Sequence, residues 1–153
     1  DHYPSWKIHI WGSPNSNPKD YRLLRNKISK LRLSERIICK GTTKNIKQEI
    51  LHASFYICTS SYEGFSLAMT EAMSLGLPIV GCDDCLSVKE FLQSHSIGIL
   101  STPTSSDLSK SMEKLITEVN YRKTLGTNAK KYMASFSSEK VFRQWENLLN
   151  SLS

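Results

Sequence analysis

The chain has 153 residues, of which 39% are hydrophobic and 22% charged, and this is enough to enclose the core of one globular domain. No apolar stretch approaches the roughly 20 residues that span a bilayer, and the first residues lack the basic and then apolar order of a signal peptide, so we expect a soluble cytoplasmic protein. The net charge of +6 comes from lysines and arginines scattered along predicted helices, without the features of a nucleic-acid-binding protein. The alternative partner for this charge is the anionic inner face of a membrane, contacted peripherally.

Two strand-helix units are predicted in the first third of the chain. Residues 6–11 alternate as a strand does, and Asn17, followed by a proline, offers an N-cap for a helix that runs to about Leu31. A second strand and a short helix are predicted after it, at residues 36–41 and 46–52.

The rest of the chain repeats this alternation and then becomes purely helical. The apolar run at 55–59 predicts a buried strand, and the helix after it should end at Gly76, where glycine stops it and Pro78 prevents it from resuming. The further predicted elements are a strand at 79–82, a helix at 87–93, a strand at 97–100 and helices at 108–119, 121–133 and 139–149. This order predicts one Rossmann-like α/β domain over residues 1–153, with a parallel sheet, helices on both faces and a helical C-terminal tail.

The four cysteines do not indicate a metal site. Most of them lie at or near the ends of predicted apolar strands, where a reduced thiol acts as a small hydrophobic side chain. Cys82 and Cys85 form one Cys-x-x-Cys pair, but it has no second pair and no neighbouring histidines, and it follows a strand instead of opening a helix. We therefore expect reduced thiols, with Asp83-Asp84 between them in a solvated turn.

Ligands of open parallel sheets bind beyond the carboxyl ends of the strands. This rule brings four predicted loops to one edge, at residues 12–15, 41–45, 60–66 and 83–87. The loop at 41–45 is small and polar and begins with glycine, so its backbone could lie against the edge of a nucleobase. The alternative is an ordinary strand-helix connection.

The most informative of these loops is the turn at residues 60–66. It connects a predicted strand to a predicted helix, so free backbone N–H groups and the positive end of the helix dipole point toward one place, which suits a phosphate or diphosphate. Glu63 lies just before the Gly64-Phe65-Ser66 tripeptide. It is either a surface carboxylate favoured by the dipole or a group that holds sugar hydroxyls.

A second glutamate, Glu71, falls inside the helix after this turn. Its neighbours are mainly Ala, Met and Leu, so we expect the carboxylate to be held in apolar surroundings, which is costly unless something hydrogen-bonds it. A pair of ribose hydroxyls would serve. The structural alternative is a carboxylate caged by a backbone amide or by Lys89.

The spacing of Glu63 and Glu71, with Gly76-Leu77-Pro78 after them, resembles a known enzyme pattern. It is similar to the donor-binding half of a retaining glycosyltransferase with two Rossmann-like domains, the GT-B fold of glycosyltransferase family four, also called glycosyl transferases group 1. The resemblance covers nearly the whole chain. It implies an enzyme of surface polysaccharide or glycolipid synthesis that uses a nucleotide-diphosphate sugar as donor, with no metal or other cofactor.

The resemblance also implies a role for each matching residue. Catalysis would be largely electrostatic, through stabilisation of the departing diphosphate, and whether Glu63 acts as a nucleophile stays open. The implied roles are phosphate binding by the backbone of Gly64, Phe65, Ser66 and Leu67, ribose binding by Glu71, contact with the transferred sugar and catalysis by Glu63, and base binding by Thr43, Lys44 and Asn45.

Two departures from the family pattern imply that the chain is a fragment. The arginine and lysine that neutralise the donor diphosphate in this family are not found, and Asp1 stands directly before what resembles the domain's second strand. The resemblance therefore puts the first strand and helix, and the acceptor-binding N-terminal domain, outside this chain. We expect the fragment alone to transfer no sugar, and its sugar or lipid-linked acceptor to bind to the missing domain.

The missing first strand would be central in the sheet. The fragment is therefore expected to close the gap, to pair with another copy or to expose a strand edge that favours self-association. Two other functions are compatible with such a fold, namely a sugar-nucleotide epimerase or inverting transferase, and a non-catalytic binding or assembly module. The spacing of Glu63 and Glu71 favours the retaining transferase over both.

Overall fold

The computed structural model describes residues 2–152. Over this range strands and helices alternate as predicted and end in three consecutive helices. The elements are β1 (Ile8–Trp11), α1 (Pro18–Lys30), β2 (Ile37–Gly41), α2 (Ile46–Leu51), β3 (Tyr56–Cys58), α3 (Leu67–Ser74), β4 (Ile79–Cys82), α4 (Leu86–His95), β5 (Gly98–Ser101), α5 (Ser105–Thr117), α6 (Val119–Met133) and α7 (Ser138–Ser151). A short 3₁₀ turn, Ala134–Phe136, separates α6 from α7. None of the helices in this range is long and apolar enough to cross a bilayer.

The chain divides into two compact units, residues 1–46 and 47–153. In the first unit, β1 and β2 pair in parallel, with Ile8 opposite Ile37 and a shift of register between Ile10 and Trp11. α1 connects the two strands, and Ile28 on this helix is buried. This is the first predicted strand-helix-strand unit.

The start of α1 confirms the predicted N-cap. The side-chain oxygen of Asn17 accepts a hydrogen bond from the Asp20 amide at 3.3 Å, and the side-chain amide of Asn17 donates to the Asp20 carboxylate at 2.7 Å. Pro18 occupies the first turn, where its missing N–H costs nothing. One of the free amides at the helix start is thereby satisfied, so α1 begins where the sequence predicts.

Asn17→Ala should destabilise α1 by about 1 kcal/mol. The substitution leaves the Asp20 amide without its side-chain acceptor, whereas Asn17→Ser keeps an acceptor oxygen at the cap and should retain most of the stability. Residue-resolved amide exchange of the first unit measures the difference. Equal exchange in the alanine and serine variants would show that the cap contributes nothing.

The second unit contains a three-stranded parallel sheet in the order β3-β4-β5. β4 is its central strand, and all four of its residues are buried. Neighbouring residues of a strand point to opposite faces of the sheet. Ile79 accordingly packs in one cluster with Met73 of α3 and Val88 of α4. Val80 packs in another with Leu115 of α5, so helices cover both faces, which confirms the predicted architecture.

The strands form two parallel sheets, whereas the sequence predicts one. β1 pairs with β2, and β3 is an edge strand that pairs with β4. The expected absence of a first strand, and its consequences for the edge of the sheet, stay predictions.

α3 ends at the predicted glycine. Gly76 has a φ of 87°, in the left-handed region that glycine adopts without strain. A Cβ atom at Gly126 of α6 would overlap the Gly76 carbonyl oxygen. α3 and α6 therefore approach each other so closely that the contact leaves no room for a side chain.

The remaining helices lie near their predicted positions, with different ends. α4 is longer than predicted and reaches His95, and α5 begins at a cap in which Thr104 Oγ1 accepts from the Asp107 amide at 3.2 Å. α7 contains no buried residue and exposes large apolar side chains that include Phe142 and Trp145.

Candidate functional site

The candidate site lies at the carboxyl end of β3, where the turn at residues 60–66 leads into α3. The N-cap of α3 is Ser66, with φ of −75° and ψ of 94°, and its side chain makes no capping hydrogen bond. Thr70 is the first residue whose amide bonds within the helix, to the Ser66 carbonyl oxygen at 3.0 Å. The three amides before Thr70 have no acceptor in the helix and are left for a ligand or solvent.

α4 begins in the same way after β4. Its N-cap, Cys85, makes no side-chain capping bond, whereas Asn17 and Thr104 cap α1 and α5. α6 and α7 also begin without a side-chain cap, so a missing cap alone is not specific. What distinguishes α3 and α4 is their place, because two helix starts that follow adjacent parallel strands present their positive dipole ends at one sheet edge.

A hydrogen bond joins the 60–66 turn to α4. The Ser87 hydroxyl donates to the Glu63 carbonyl oxygen at 2.8 Å, in a partly buried position. The predicted convergence of the loops at 60–66 and 83–87 is thereby confirmed. No local pattern in the sequence marks a serine that contacts a carbonyl 24 residues earlier, so this bond is visible only in the structure.

The charges of Glu63 and Glu71 both affect the pKa of Tyr56 on β3. Burial raises the pKa of the Tyr56 phenol, and interactions with Cys58, Glu63 and Glu71 raise it further. Burial also raises the pKa of the Cys58 thiol, an effect that hydrogen bonds with Ser60 oppose and the charge of Glu63 reinforces. The structure therefore brings Glu63 and Glu71 into one neighbourhood at β3.

Glu71 is exposed, so the expected apolar surroundings of its carboxylate are wrong. The helical period of about 3.6 residues turns Glu71 to the solvent side of α3 together with Leu67 and Ser74. The buried side of the helix consists of Met69, Thr70, Ala72 and Met73. An exposed carboxylate needs no cage, so burial no longer favours a bond from a backbone amide or Lys89, and the role of Glu71 stays a prediction.

The backbone of the 60–66 turn is open on one side. Phe65 is 54% exposed and Leu67 70% exposed. A Cβ atom at Gly64 would meet no other atom within 4 Å. A ligand can therefore approach the backbone at Gly64 without displacing a side chain.

The first unit has an edge of the same kind. Gly41 ends β2 with a φ of 75°, and its carbonyl oxygen accepts a hydrogen bond from the Gly12 amide at 2.8 Å. The loops at 12–15 and 41–45 therefore leave the first sheet side by side, as predicted.

The predicted base-binding residues lie in the second of these loops. Thr43 Oγ1 accepts from the Asn45 amide at 3.1 Å, so the loop is ordered by its own hydrogen bond. Thr43, Lys44 and Asn45 are all exposed. They belong to the first unit and Glu63 to the second, and a site shared by these residues stays a prediction.

The cysteines are reduced, as expected. All four are unpaired, and Cys58, Cys82 and Cys85 are buried. Burial raises the pKa of the Cys58 and Cys82 thiols, which keeps them protonated near neutral pH. Between residues 2 and 152, no group of three or more His, Cys, Asp or Glu is arranged to hold a metal ion.

Proteins of known sequence and structure resemble this chain over nearly its full length. The exopolysaccharide phosphotransferase of Streptomyces coelicolor is 28% identical over 98% of this chain and 16% of its own length. The poly(ribitol-phosphate) alpha-N-acetylglucosaminyltransferase of Staphylococcus aureus is 24% identical over 95% of this chain and 29% of its own. This chain therefore spans less than a third of either relative.

A solved structure supports the fold. HepE from Anabaena, in complex with UDP, superposes with a TM-score of 0.81 over 97% of this chain and 42% of its own, at 24% identity. The same protein has also been solved with UDP-glucose. The similarity identifies the fold as half of a GT-B architecture.

The match to the family is equally extensive. The sequence model of the glycosyl transferases group 1 matches residues 1–132, which include β1 to β5 and the whole 60–66 turn. Since this match covers most of the chain, the protein belongs to the glycosyl transferases group 1 family.

Proposed function

We propose that this chain is the donor-binding part of a glycosyltransferase that uses a nucleotide-diphosphate sugar and retains the configuration of the anomeric carbon. The observation that carries this proposal is the open turn at residues 60–66, with the uncapped start of α3 behind it and two carboxylates beside it. Free amides and a helix dipole favour a phosphate, and carboxylates favour hydroxyl groups. A nucleotide sugar carries both kinds of group in one molecule.

The distal phosphate of the donor binds to the backbone of Gly64, Phe65, Ser66 and Leu67. The first amides of α3 have no acceptor inside the helix, and the space beside Gly64 is empty. These N–H groups stabilise the diphosphate most strongly when it leaves with its full negative charge, which is the condition for accelerating the reaction.

The ribose binds to Glu71. Glu71 lies four residues after Leu67 on the exposed side of α3, and this separation is about 6 Å along the helix axis. The ribose is joined to the distal phosphate through the 5′-phosphate, and this flexible linkage can bridge such a separation, so one nucleotide can reach the helix start and Glu71 together.

The transferred sugar lies beside Glu63. In the transfer, the bond between the anomeric carbon and the diphosphate oxygen breaks, and the acceptor oxygen forms a new bond on the same face of the sugar. The proton of the acceptor hydroxyl passes to an oxygen of the leaving phosphate. The name of the staphylococcal relative, an alpha-transferase, supports retention, because the common UDP-sugars are themselves alpha-linked.

The acceptor is a sugar or a lipid-linked sugar of a cell-surface polymer, bound by a further domain of a longer enzyme. The relatives named for exopolysaccharide and poly(ribitol-phosphate) synthesis support this assignment. The chain spans 16% and 29% of those relatives, which leaves room in them for such a domain. The net charge of +6 would favour a location at the inner face of a membrane.

UDP should bind to the 153-residue chain in the presence of EDTA, because the proposed site holds the phosphates by helix amides and the helix dipole instead of a metal ion. In an NMR titration we expect the amide signals of residues 64–71 to shift the most. Binding that requires Mg²⁺, or shifts that avoid this segment, would contradict the proposal. The configuration of the product formed by the longer enzyme tests retention separately, and inversion would refute it.

A further inference from the structure

We propose that α4 sets the conformation of the 60–66 turn through two residues of one helix face, Ser87 and Phe91, which act as positioning residues for the donor. Residues four apart on a helix lie above one another on the same side. Ser87 Oγ donates to the Glu63 carbonyl oxygen at 2.8 Å. The Phe91 ring meets the Phe65 ring edge to face, with centroids 5.9 Å apart. α4 thus contacts the turn on both sides of Gly64.

The turn depends on such contacts for its shape. Residues 59–66 belong to no helix or strand. Gly64 gives their backbone more conformational freedom than any other residue would. Peptide groups that bind a phosphate must nevertheless point in fixed directions before the ligand arrives, because ordering them on binding would lower the affinity. α4 provides this order from outside the turn.

α4 itself is firmly held in the second unit. Val88 is 0% exposed and Leu92 5% exposed, and both belong to the main core cluster. The sulfur of Cys85 lies 3.6 Å from the Ser87 hydroxyl, which restricts the rotation of that hydroxyl. The face that carries Ser87 and Phe91 is therefore a rigid support.

Phe91 also packs against an aromatic cluster. Its ring meets the Tyr132 ring of α6 edge to face at 6.0 Å. Tyr132 also contacts the rings of His95, at 3.8 Å, and Phe136, at 5.2 Å. Since Phe65 packs against Phe91, and Phe91 packs against Tyr132, α6 supports the turn through α4.

The first test needs no ligand and uses Ser87→Ala in the full 153-residue chain. Loss of this hydrogen bond should lower the backbone ¹⁵N order parameters of residues 60–67 from about 0.85, the value of rigid backbone, toward about 0.6. The order parameters of β4 and the midpoint of unfolding should not change. Ser87→Thr keeps the hydroxyl and should restore the order parameters, whereas Ser94→Ala, an exposed serine on the same helix, should have no effect.

Phe91→Leu provides an independent test of the aromatic contact. It keeps an apolar side chain but removes the edge-to-face contact with Phe65, so the order parameters of the turn should again fall. If neither Ser87→Ala nor Phe91→Leu alters the order parameters of residues 60–67, the proposal is overturned.

A UDP titration then tests the connection to the donor, which rests on the proposed function. Ser87→Ala should weaken UDP binding by about 3- to 10-fold, the loss of one neutral hydrogen bond, and Ser87→Thr should recover it. Lower order parameters with unchanged UDP affinity would overturn the role in donor binding. If the unaltered chain binds no UDP, the proposed function fails, and the order parameters still decide whether α4 holds the turn.

Discussion

Gly126→Ala should destabilise the second unit by about 1–3 kcal/mol, the usual cost of inserting a methyl group into a closely packed contact. Alanine is the better helix former by about 1 kcal/mol, so the same change at an open helix position would be stabilising. Here the new Cβ would overlap the Gly76 carbonyl oxygen and lie 3.4 Å from Pro78 Cδ. The carbonyl cannot rotate away easily, because Gly76 is held at a φ of 87° as the end of α3.

Urea and thermal unfolding measure this effect. Gly64→Ala is the matched control, since a Cβ atom there would meet nothing within 4 Å, and its unfolding midpoint should stay close to that of the unaltered chain. A Gly126→Ala variant that melts at or above the unaltered chain would mean that α6 can move away from α3 at little cost. The close contact of the two helices would then have no importance for stability.

Glu71→Gln should weaken UDP binding by about 1–3 kcal/mol, the scale of hydrogen bonds to a charged group, which corresponds to about 5- to 150-fold in Kd. The amide can accept only one set of hydroxyl bonds with its single oxygen and carries no charge. Stability should not change, because the Glu71 side chain is exposed. Calorimetric titration with UDP and thermal melting of the same sample measure both quantities.

Glu90→Gln is the matched control for this experiment. Glu90 is an exposed glutamate on α4, so the substitution removes the same charge from a helix surface of the same unit. Its UDP affinity should equal that of the unaltered chain. An unchanged affinity in Glu71→Gln would remove Glu71 from the donor site, and an equal loss in both variants would indicate a general effect of charge.

Local features of the sequence determined many of the element ends. Asn17 and the proline after it determine the start of α1, and Gly76 determines the end of α3, because each acts on its own backbone and on groups within one helical turn. β4 occupies the four residues predicted for it, since a short apolar run between turn residues is typical of a buried strand. The spacing of Glu63 and Glu71 likewise identified the family that the match over residues 1–132 establishes.

Contacts distant in sequence decided the rest. α4 continues to His95 because Ser96 adopts a left-handed φ of 50°, and the Ser96 carbonyl accepts from Asn128 of α6 at 3.1 Å. A serine gives no stop signal, so the sequence predicts a shorter helix.

The exposure of Glu71 was decided in the same way. Apolar residues occur on every side of α3, so the sequence does not indicate which side packs on the core. The packing of α3 against β4 and α6 leaves Glu71 on the solvent side. The bond from Ser87 to Glu63 spans 24 residues and exists because β3 and β4 are neighbours in the sheet. Sequence patterns record the preferences of a chain over a few residues, whereas the surroundings of a side chain depend on which elements fold against it.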